Sequence, residues 1–304
     1  MMSRMRLAVA VLVVLATFTC GHALGLAQPA PAASRATPGP NQRIALVTGS
    51  TDGLGREVAR RLAAEGAHVI IHGRNTERGT ALVDEIGGGG KGSARFYQAD
   101  FASLSEVRNL ADAIARDYPR LDLLVNNAGV VVREGRQVSK DGHELHFAVN
   151  YLSGYLLTYK LLPLIERGRT PRIVNVSSLS AAPIDFSDVM IERGYSTNRG
   201  YGQSKLAQVM FTIDLAAELK AKGIVVQALH PATYMNTTMI LSAGLTPRST
   251  VEEGTASVMH AITTDEASGS YFVGQKLGTP HAQSADAEAR RRLREITRTL
   301  VGLP

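Results

Sequence analysis

The sequence predicts a single α/β domain built on a doubly wound parallel sheet, and three observations support this fold class. Apolar runs without alternating polar residues recur along the chain, which is typical of strands buried on both faces. Helical segments long enough for right-handed crossovers separate these runs. The first run is followed by a glycine-rich turn at residues 48–55 and then by a helical pattern. This order is the strand, turn and helix of a dinucleotide-binding unit of the Rossmann type.

The elements follow in order along the chain. The apolar runs predicted to be strands are Ile44–Val47 and residues 69–71, 121–125, 173–176 and 224–229, with one more strand after a four-glycine connector at 87–90. The segments predicted to be helices are the one with apolar Val58, Leu62 and Ala63, followed by residues 77–86, 103–118, 142–165 and 201–222.

A last helix places four apolar residues on one face, namely Ala289, Leu293, Ile296 and Leu300. Most of the remaining surface of this helix carries arginines, at positions 290, 291, 292, 294 and 298. Docking on the core with a solvated basic face is the expectation. Attachment to anionic lipid is the alternative.

Composition excludes several classes of function. The chain has 304 residues, of which 44% are hydrophobic and 20% charged, so it can bury a full core. Its net charge is +6, but the arginines are scattered outside the last helix and no nucleic-acid module is recognisable, so no nucleic-acid partner is expected. The single cysteine, Cys20, precedes the domain, which excludes a disulfide or a thiolate metal site within it. We expect no metal.

The first 42 residues have the character of a leader. Arg4 and Arg6 precede an uncharged stretch that runs to residue 27, and a segment rich in Pro and Ala follows it. We therefore assign residues 1–27 to a signal peptide or membrane anchor, residues 28–42 to a linker and residues 43–304 to the catalytic domain. An exported or membrane-associated protein is expected, and a cytoplasmic protein with a mis-called start is the alternative.

The glycine-rich turn predicts a site for a pyrophosphate. Glycines at 49, 53 and 55 allow backbone conformations closed to other residues and let the chain approach the phosphates, whose charge the following helix N-terminus favours. The residues of this turn predicted to bind a cofactor are Gly49, Ser50, Thr51, Asp52, Gly53, Leu54 and Gly55.

The end of the second strand predicts which dinucleotide is preferred. An NAD-specific unit ends this strand with Asp or Glu, which binds the ribose 2′-hydroxyl, whereas this chain has His72, Gly73 and Arg74. The Arg74 guanidinium can pair with a 2′-phosphate, and Arg56 would add positive potential, although Asp52 opposes it. NADP(H) is therefore the expected cofactor and NAD(H) the second candidate. A solvated surface arginine is the alternative for Arg74.

Tyr201 and Lys205 predict proton chemistry. They are four residues apart on a predicted helix, so their side chains share one face. A charge about 4 Å from a phenol stabilises the phenolate by roughly 4 kcal/mol, near three pKa units, which would bring Tyr201 into range for general acid and base catalysis. A solvent-facing pair is the alternative. Tyr195, with Arg199 four residues later, lacks the lysine and precedes the helix.

Five motifs in order resemble the short-chain dehydrogenase/reductases. They are TGSTDGLG at 48–55, NNAG at 126–129, FAVNYLSGY at 147–155, RIVNVSS at 172–178 and YGQSK at 201–205. The resemblance covers roughly residues 43–280 and is to the compact type with TGxxxGxG. Within the family, the chain looks most like the retinol-dehydrogenase-like and WW-domain-oxidoreductase-like reductases, through GRN after the second strand and SKLAQVMFT after the tyrosine.

The resemblance implies an NAD(P)-dependent oxidoreductase that moves a hydride between nicotinamide and a carbonyl or alcohol substrate. It implies that Lys205 also holds the nicotinamide ribose, that Ser178 bonds the substrate oxygen and that Asn150 positions a water in the proton relay. Ser177 is the rival to Ser178, and Asn150 has a structural helix amide as its alternative. A dinucleotide-binding sensor or interaction scaffold without turnover is the competing class of function, and the oligomeric state, including a homo-oligomer, stays open.

The remaining cofactor contacts are also carried over from the resemblance. The residues expected near the adenine are Asp100 and Phe101, and those expected along the rest of the cofactor are Asn127, Ala128, Gly129, Pro231 and Thr233. The family usually has Pro-Gly where this chain has Pro231 and Ala232, which puts the backbone path there in doubt. Residues 234–248 correspond to the substrate lid of relatives, and their Met content favours apolar substrates. Residues 183–200 would form the other wall, and His230 is expected to be a buried structural histidine.

Overall fold

Eight strands form the central sheet of residues 36–304, the part of the chain that the computed structural model describes. In chain order they are β1 (Ile44–Val47), β2 (His68–Gly73), β3 (Ser93–Gln98), β4 (Leu123–Asn126), β5 (Arg172–Val176), β6 (Val225–His230), β7 (Tyr271–Val273) and β8 (Lys276–Leu277). The order across the sheet is β3-β2-β1-β4-β5-β6-β7-β8, and only the β7–β8 pair is antiparallel. The predicted doubly wound parallel sheet is confirmed.

Helices cover both faces of this sheet. They are α1 (Gly53–Ala64), α2 (Thr76–Gly88), α3 (Leu104–Asp117), α4 (Ser153–Ile165), α5 (Thr197–Leu219), α6 (Thr238–Ser242), α7 (Val251–Thr263) and α8 (Ala287–Leu300). Helices α1, α2 and α7 pack on one face, and α3, α4, α5 and α8 pack on the other, each over its own apolar cluster. The layers belong to one compact unit.

The strand order reverses between β1 and β4, and this reversal determines where in the sheet the site lies. Successive strands move outward from β1 to β3 in one direction and from β4 to β7 in the other. Because the connections from β1 and β4 therefore leave in opposite directions, a crevice opens at the carboxyl ends of these strands, where open α/β sheets bind ligands. Val47, the last residue of β1, is in register with Ile71 and Val125, and β2 and β4 continue past this level to Gly73 and Asn126.

Two helix boundaries differ from the predicted ones. The predicted helix at 142–165 begins only at Phe147, because Gly142 is left-handed (φ 83°) and Ser139 and His143 are joined by a backbone hydrogen bond in a turn. Its first six residues, Phe147–Leu152, are a π-helix, after which α4 continues. Helix α5 begins four residues before Tyr201, because the Ser196 side chain caps it by accepting a hydrogen bond from the Arg199 amide.

The last helix docks on the core as expected. Ala289 and Leu293 are buried, and Ile296 and Leu300 pack partly buried against the same cluster. Its basic residues are largely paired, since Arg290 and Arg294 share Asp214, Arg291 binds Glu288 and Glu295, and Arg292 stacks on Phe186. A face neutralised in this way has little charge left for anionic lipid.

The predicted leader, residues 1–27, and the first part of the predicted linker lie outside the described residues. Among residues 36–304, no helix is both long enough and apolar enough to cross a membrane.

Candidate active site

The glycine-rich turn after β1, which we call the glycine cradle, has three positions that require glycine. Gly49 and Gly53 adopt left-handed conformations, with φ of 64° and 52°. A Cβ on Gly55 would lie 2.3 Å from the Gly49 carbonyl oxygen and 2.4 Å from Nδ2 of Asn127. These approaches leave the backbone of the turn open beside the α1 N-terminus, which is the arrangement that a dinucleotide pyrophosphate requires. The residues present therefore fit the cofactor that the sequence predicts.

Side chains from neighbouring strands hold the turn. Nδ2 of Asn127 donates to the Thr48 carbonyl oxygen at 2.8 Å, and the Thr48 hydroxyl accepts from the amides of Asn127 and Ala128 at 2.9 and 3.0 Å. Nδ1 of His72 accepts from the Gly49 amide at 3.1 Å. Burial lowers the pKa of His72 to about 4, so this ring is neutral and its Nε2 donates to the Ala99 carbonyl. Sequence reasoning did not assign Thr48 or His72 to the site.

The expected adenine residues lie at the β3 end of the same edge. Phe101 is buried and its ring stacks on His72 at a centroid distance of 4.2 Å. Asp100 uses one carboxylate oxygen to accept from the Ala102 amide at 3.0 Å, which shapes the turn after β3. Both residues follow β3, the edge strand of the sheet beside β2.

The charges near the end of β2 differ from the expected set. Arg56 is bound by Glu85 at 2.5 Å, so it adds less free positive potential than predicted. Asp52 caps α1 through the Gly53 amide and also binds Arg78 at 3.0 Å, which offsets the negative charge expected to oppose NADP(H). Sequence reasoning missed Arg78. Arg74 is exposed, and its guanidinium has no hydrogen-bond or ionic partner within residues 36–304.

Tyr201 and Lys205 lie together on α5, as their spacing predicts. The Lys205 Nζ is 5.6 Å from the centroid of the Tyr201 ring and donates to the Val176 carbonyl and to Oε1 of Gln208, each at 2.9 Å. Burial lowers the pKa of Lys205 to about 7. The buried site therefore disfavours the charged form of this side chain.

The expected lowering of the Tyr201 pKa is wrong. Burial raises the pKa of this phenol, and a hydrogen bond with Ser178 opposes the rise only in part. The sequence argument placed a full charge about 4 Å from the hydroxyl. In the structure the Lys205 ammonium lies beside the Tyr201 ring. Burial also lowers the pKa of Lys205, which disfavours its charged form.

The two serines after β5 have different surroundings. The Ser177 hydroxyl donates to the Lys205 carbonyl oxygen at 2.7 Å and so ties β5 to α5. The Ser178 hydroxyl accepts from the Ser180 amide at 3.1 Å, and it is the serine near enough to the Tyr201 phenol to lower the pKa of that group. The geometry therefore brings Ser178, and not its neighbour, to the phenol.

Asn150 projects from the π-helix toward the same point. Its Oδ1 accepts from the Val130 amide at 2.7 Å and its Nδ2 donates to the Ser204 hydroxyl at 3.0 Å. A Cβ on Gly129 would lie 3.3 Å from this Oδ1 and 3.7 Å from the Lys205 Nζ. The side chains of Asn150 and Lys205 therefore both lie next to the backbone of Gly129, which has no side chain.

A buried pair behind Tyr201 was not predicted. His146 packs edge to face with the Tyr201 ring at 6.1 Å, and its Nδ1 lies 2.8 Å from Oε1 of Glu144. Its Nε2 accepts from the Val132 amide at 2.9 Å, so Nδ1 carries the proton and donates to the carboxylate. Glu144 also accepts from the Phe147 amide at 2.7 Å, at the start of the π-helix that carries Asn150. The pair connects the two elements that hold the site.

The end of β6 and the segment that follows it, residues 230–234, form another border of the site. His230 is bonded to the Thr233 hydroxyl at 3.1 Å, and burial lowers its pKa to about 4, which agrees with a neutral structural histidine. Pro231 and Ala232 continue the chain without a left-handed residue, and the first such residue is Tyr234 at φ 50°. No group of histidines, cysteines and carboxylates within residues 36–304 could hold a metal ion.

The two ends of the expected lid, residues 234–248, are bonded to each other. The Arg248 amide donates to the Tyr234 carbonyl at 2.9 Å, and the Arg248 guanidinium stacks on the Tyr234 ring. The Arg133 guanidinium bonds the Ala243 carbonyl in the middle of the lid. Arg136 bonds the Met190 carbonyl at 3.1 Å, which connects the opposite segment, residues 183–200, to the loop after β4.

Comparisons with known proteins agree with this geometry. The family model described as short chain dehydrogenase matches residues 43–246. Human retinol dehydrogenase 13 is 35% identical over 86% of this chain and 85% of its own length. Mouse polyprenol dehydrogenase is 35% identical over 83% and 81%. A crystal structure of a Shigella flexneri short chain dehydrogenase complexed with NADP is 26% identical and matches with a TM-score of 0.63 over 78% of this chain and 98% of that one.

The family match covers most of the chain, and the glycine cradle and the tyrosine–lysine pair lie where the family motifs predict them. The chain belongs to the short chain dehydrogenase family and is an NAD(P)-dependent oxidoreductase that acts on CH–OH and C=O groups.

Proposed function

We propose that the chain reduces an apolar aldehyde or ketone with NADPH, or oxidises the matching alcohol with NADP. The observation that carries the proposal is the placing of the Lys205 ammonium 5.6 Å from the centre of the buried Tyr201 ring, with Ser178 near enough to the phenol to lower its pKa. These groups lie at the carboxyl edge of β5, on the far side of the crevice from the adenine end. When bound, the cofactor supplies the hydride.

We assign to the four residues the roles that the family resemblance implies. Tyr201 donates a proton to the oxygen of the reduced carbonyl or takes it from the alcohol. Ser178 holds the substrate oxygen next to that phenol, and Lys205 favours the phenolate and binds the ribose. Asn150 holds a water that returns the proton toward solvent, at the bare backbone of Gly129. The hydroxyl and ammonium act in a buried site, where each electrostatic interaction is stronger than in water.

An apolar substrate is supported by the walls of the site. The lid carries exposed Met239 and Leu241, and Leu179 next to Ser178 is 54% exposed toward solvent. Exposed apolar side chains grouped at a site mouth are typical of a surface that covers an apolar ligand. Two of the relatives are named for their action on retinol and polyprenol, which are both apolar alcohols.

Cofactor oxidation against a panel of carbonyl compounds tests the proposal. The purified chain, supplied with NADPH, should oxidise it in the presence of long-chain or polyene aldehydes and should prefer these to short hydrophilic ones. If NADPH binds and no aldehyde, ketone or quinone is reduced, the competing class applies. The chain would then be a dinucleotide-binding sensor or scaffold.

The preference for NADP(H) yields a separate prediction. Arg74→Ala should weaken NADPH binding by roughly 1.5–3 kcal/mol, the range for a hydrogen bond to a charged group, and should leave NADH binding nearly unchanged. The reason is that the unpaired Arg74 guanidinium would meet only the 2′-phosphate. Titration of both cofactors by fluorescence measures the two affinities.

Arg61→Ala is the matched control for Arg74, because Arg61 is an exposed arginine that pairs only with Glu65 on α1. It should change neither affinity. Equal losses for NADPH and NADH in Arg74→Ala, or tighter binding of NADH than NADPH by the wild type, would remove Arg74 from this role.

We further propose that residues 1–27 direct the chain to a membrane or across it, and that residues 28–42 tether the domain at 43–304. The support is the order of charged start, apolar stretch and Pro/Ala segment. Fractionation of a C-terminally tagged chain should find it with membranes or exported. A cytoplasmic protein that starts beyond Ala27 would contradict this and favour a mis-called start.

A further inference from the structure

Lys205 is a buried ammonium without a buried carboxylate to balance it. Its side chain is 4% exposed, and buried lysines are normally paired with an acidic group. Within residues 36–304 its Nζ has two hydrogen-bond acceptors, the Val176 carbonyl oxygen and Oε1 of Gln208, both at 2.9 Å. Because an ammonium has three donors, one donor is left over.

The side chains that face Lys205 from the surrounding elements are all uncharged. Tyr201 faces it from α5, Asn150 from the π-helix and His230 from β6. His230 is neutral because burial lowers its pKa to about 4, with the Lys205 charge adding to the effect. The ammonium therefore depends on two oxygen dipoles, of which only the Gln208 amide is a side chain.

Gln208 is buried on the same helix face as Lys205. It lies three residues after Lys205 on α5, so the two side chains share a face of the helix, and it is 4% exposed. Its backbone carbonyl oxygen accepts from the Thr212 hydroxyl at 2.8 Å, and that hydroxyl accepts from Nδ2 of Asn175 on β5 at 2.8 Å, which anchors this turn of α5 to the sheet. An amide facing an ammonium must present its oxygen, because its NH2 group cannot accept a proton.

We propose that Gln208 is a positioning residue for the reaction, which aims the third Nζ donor of Lys205 at the bare backbone of Gly129 and favours the charged form of the lysine. The inference rests on the proposed function and deepens it. Two donors are taken by Val176 and Gln208, and a Cβ built on Gly129 would lie 3.7 Å from the Lys205 Nζ and 3.3 Å from Asn150 Oδ1, so the backbone of Gly129 leaves room for the third donor on this side. Sequence spacing alone does not distinguish this glutamine from an ordinary helix residue.

Two substitutions at Gln208 should move Lys205 in opposite directions. Gln208→Met keeps an unbranched side chain of similar length but removes the acceptor, so the ammonium is disfavoured and the lysine should lose its proton at lower pH. Gln208→Glu replaces the amide oxygen with a carboxylate and should have the reverse effect. Each shift should be about one pH unit or more, because a hydrogen bond to a charged group stabilises it by about 1.5 kcal/mol or more.

The titration of Lys205 can be measured without any reaction. In chain labelled with ¹³C at the lysine Cε, the Lys205 resonance is identified by its loss in Lys205→Met, and its shift is followed against pH with and without NADPH. Gln203→Met is the matched control, because Gln203 is a buried glutamine on the same helix that bonds Val189 and Asp185 and not Lys205. It should leave the Lys205 titration unchanged.

Activity then tests the consequence. At neutral pH, Gln208→Met should lower kcat by about tenfold and move the loss of activity at high pH to lower pH, with KM for the carbonyl substrate within about twofold of wild type. A Lys205 titration that is the same in wild type, Gln208→Met and Gln208→Glu would overturn the proposal. If Gln208→Met does not fold, Gln208→Glu alone decides by its opposite shift. Shifted titrations in a chain without carbonyl turnover would support the positioning role and refute the proposed function.

Discussion

Tyr201→Phe should lower turnover by about 10²–10⁴-fold and leave the affinity for NADPH within about twofold of wild type. The substitution removes the Tyr201 hydroxyl, the assigned proton donor, while keeping the ring that packs against His146. The carbonyl oxygen then receives its proton from water alone. Steady-state turnover on a carbonyl substrate and cofactor titration measure the two effects separately.

Tyr195→Phe is the control for this prediction. The Tyr195 hydroxyl lies 3.3 Å from Nδ1 of His146, in contact with the buried pair behind the Tyr201 ring. It should retain turnover within a few-fold of wild type. Wild-type turnover by Tyr201→Phe, on a substrate that the wild type reduces, would refute the assigned proton donor.

Gly55→Ala should abolish high-affinity cofactor binding. The added methyl group would lie 2.3 Å from the Gly49 carbonyl oxygen, and real Cβ atoms do not approach other atoms so closely. Since the clashing atom is backbone, the turn must move away from α1, and the amides that would face the pyrophosphate move with it. We expect at least a hundredfold loss of NADPH affinity, or about 2.7 kcal/mol, measured by calorimetry.

Gly88→Ala is its matched control. Gly88 is the last residue of α2, and a Cβ there would meet nothing within 4 Å. Alanine is a better helix former than glycine, so this variant should bind NADPH normally and unfold at the same or a higher temperature. Wild-type NADPH affinity in Gly55→Ala would show that the turn is not the cradle described above.

The fold was largely predictable because its strands are buried on both faces. Runs such as Ile44–Val47 have no polar alternation and so identify the parallel sheet directly. Strands β7 and β8 were not predicted, since three and two residues carry no periodic signal. The start of the π-helix was also missed, because it depends on the Glu144 carboxylate accepting the Phe147 amide rather than on local propensity.

The site was predictable where spacing along one element carries the chemistry. Tyr201 and Lys205 share a helix face, and the glycines of the turn all lie between residues 49 and 55. His72, Gln208 and the Glu144–His146 pair were missed because their roles arise from packing between distant segments. The predicted pKa of Tyr201 was wrong for a related reason, since a sequence specifies a neighbouring charge but not how deeply both groups are buried.

Transfer of deuterium from the cofactor tests the central claim most directly. The chain would be incubated with an apolar aldehyde and NADPH carrying deuterium at both C4 positions, and the alcohol product would be analysed by mass spectrometry. The account predicts an alcohol with one deuterium on the carbon that was the carbonyl carbon, and none of this product from Tyr201→Phe in the same time. An alcohol without deuterium, or no alcohol from any carbonyl compound although NADPH binds, would contradict it.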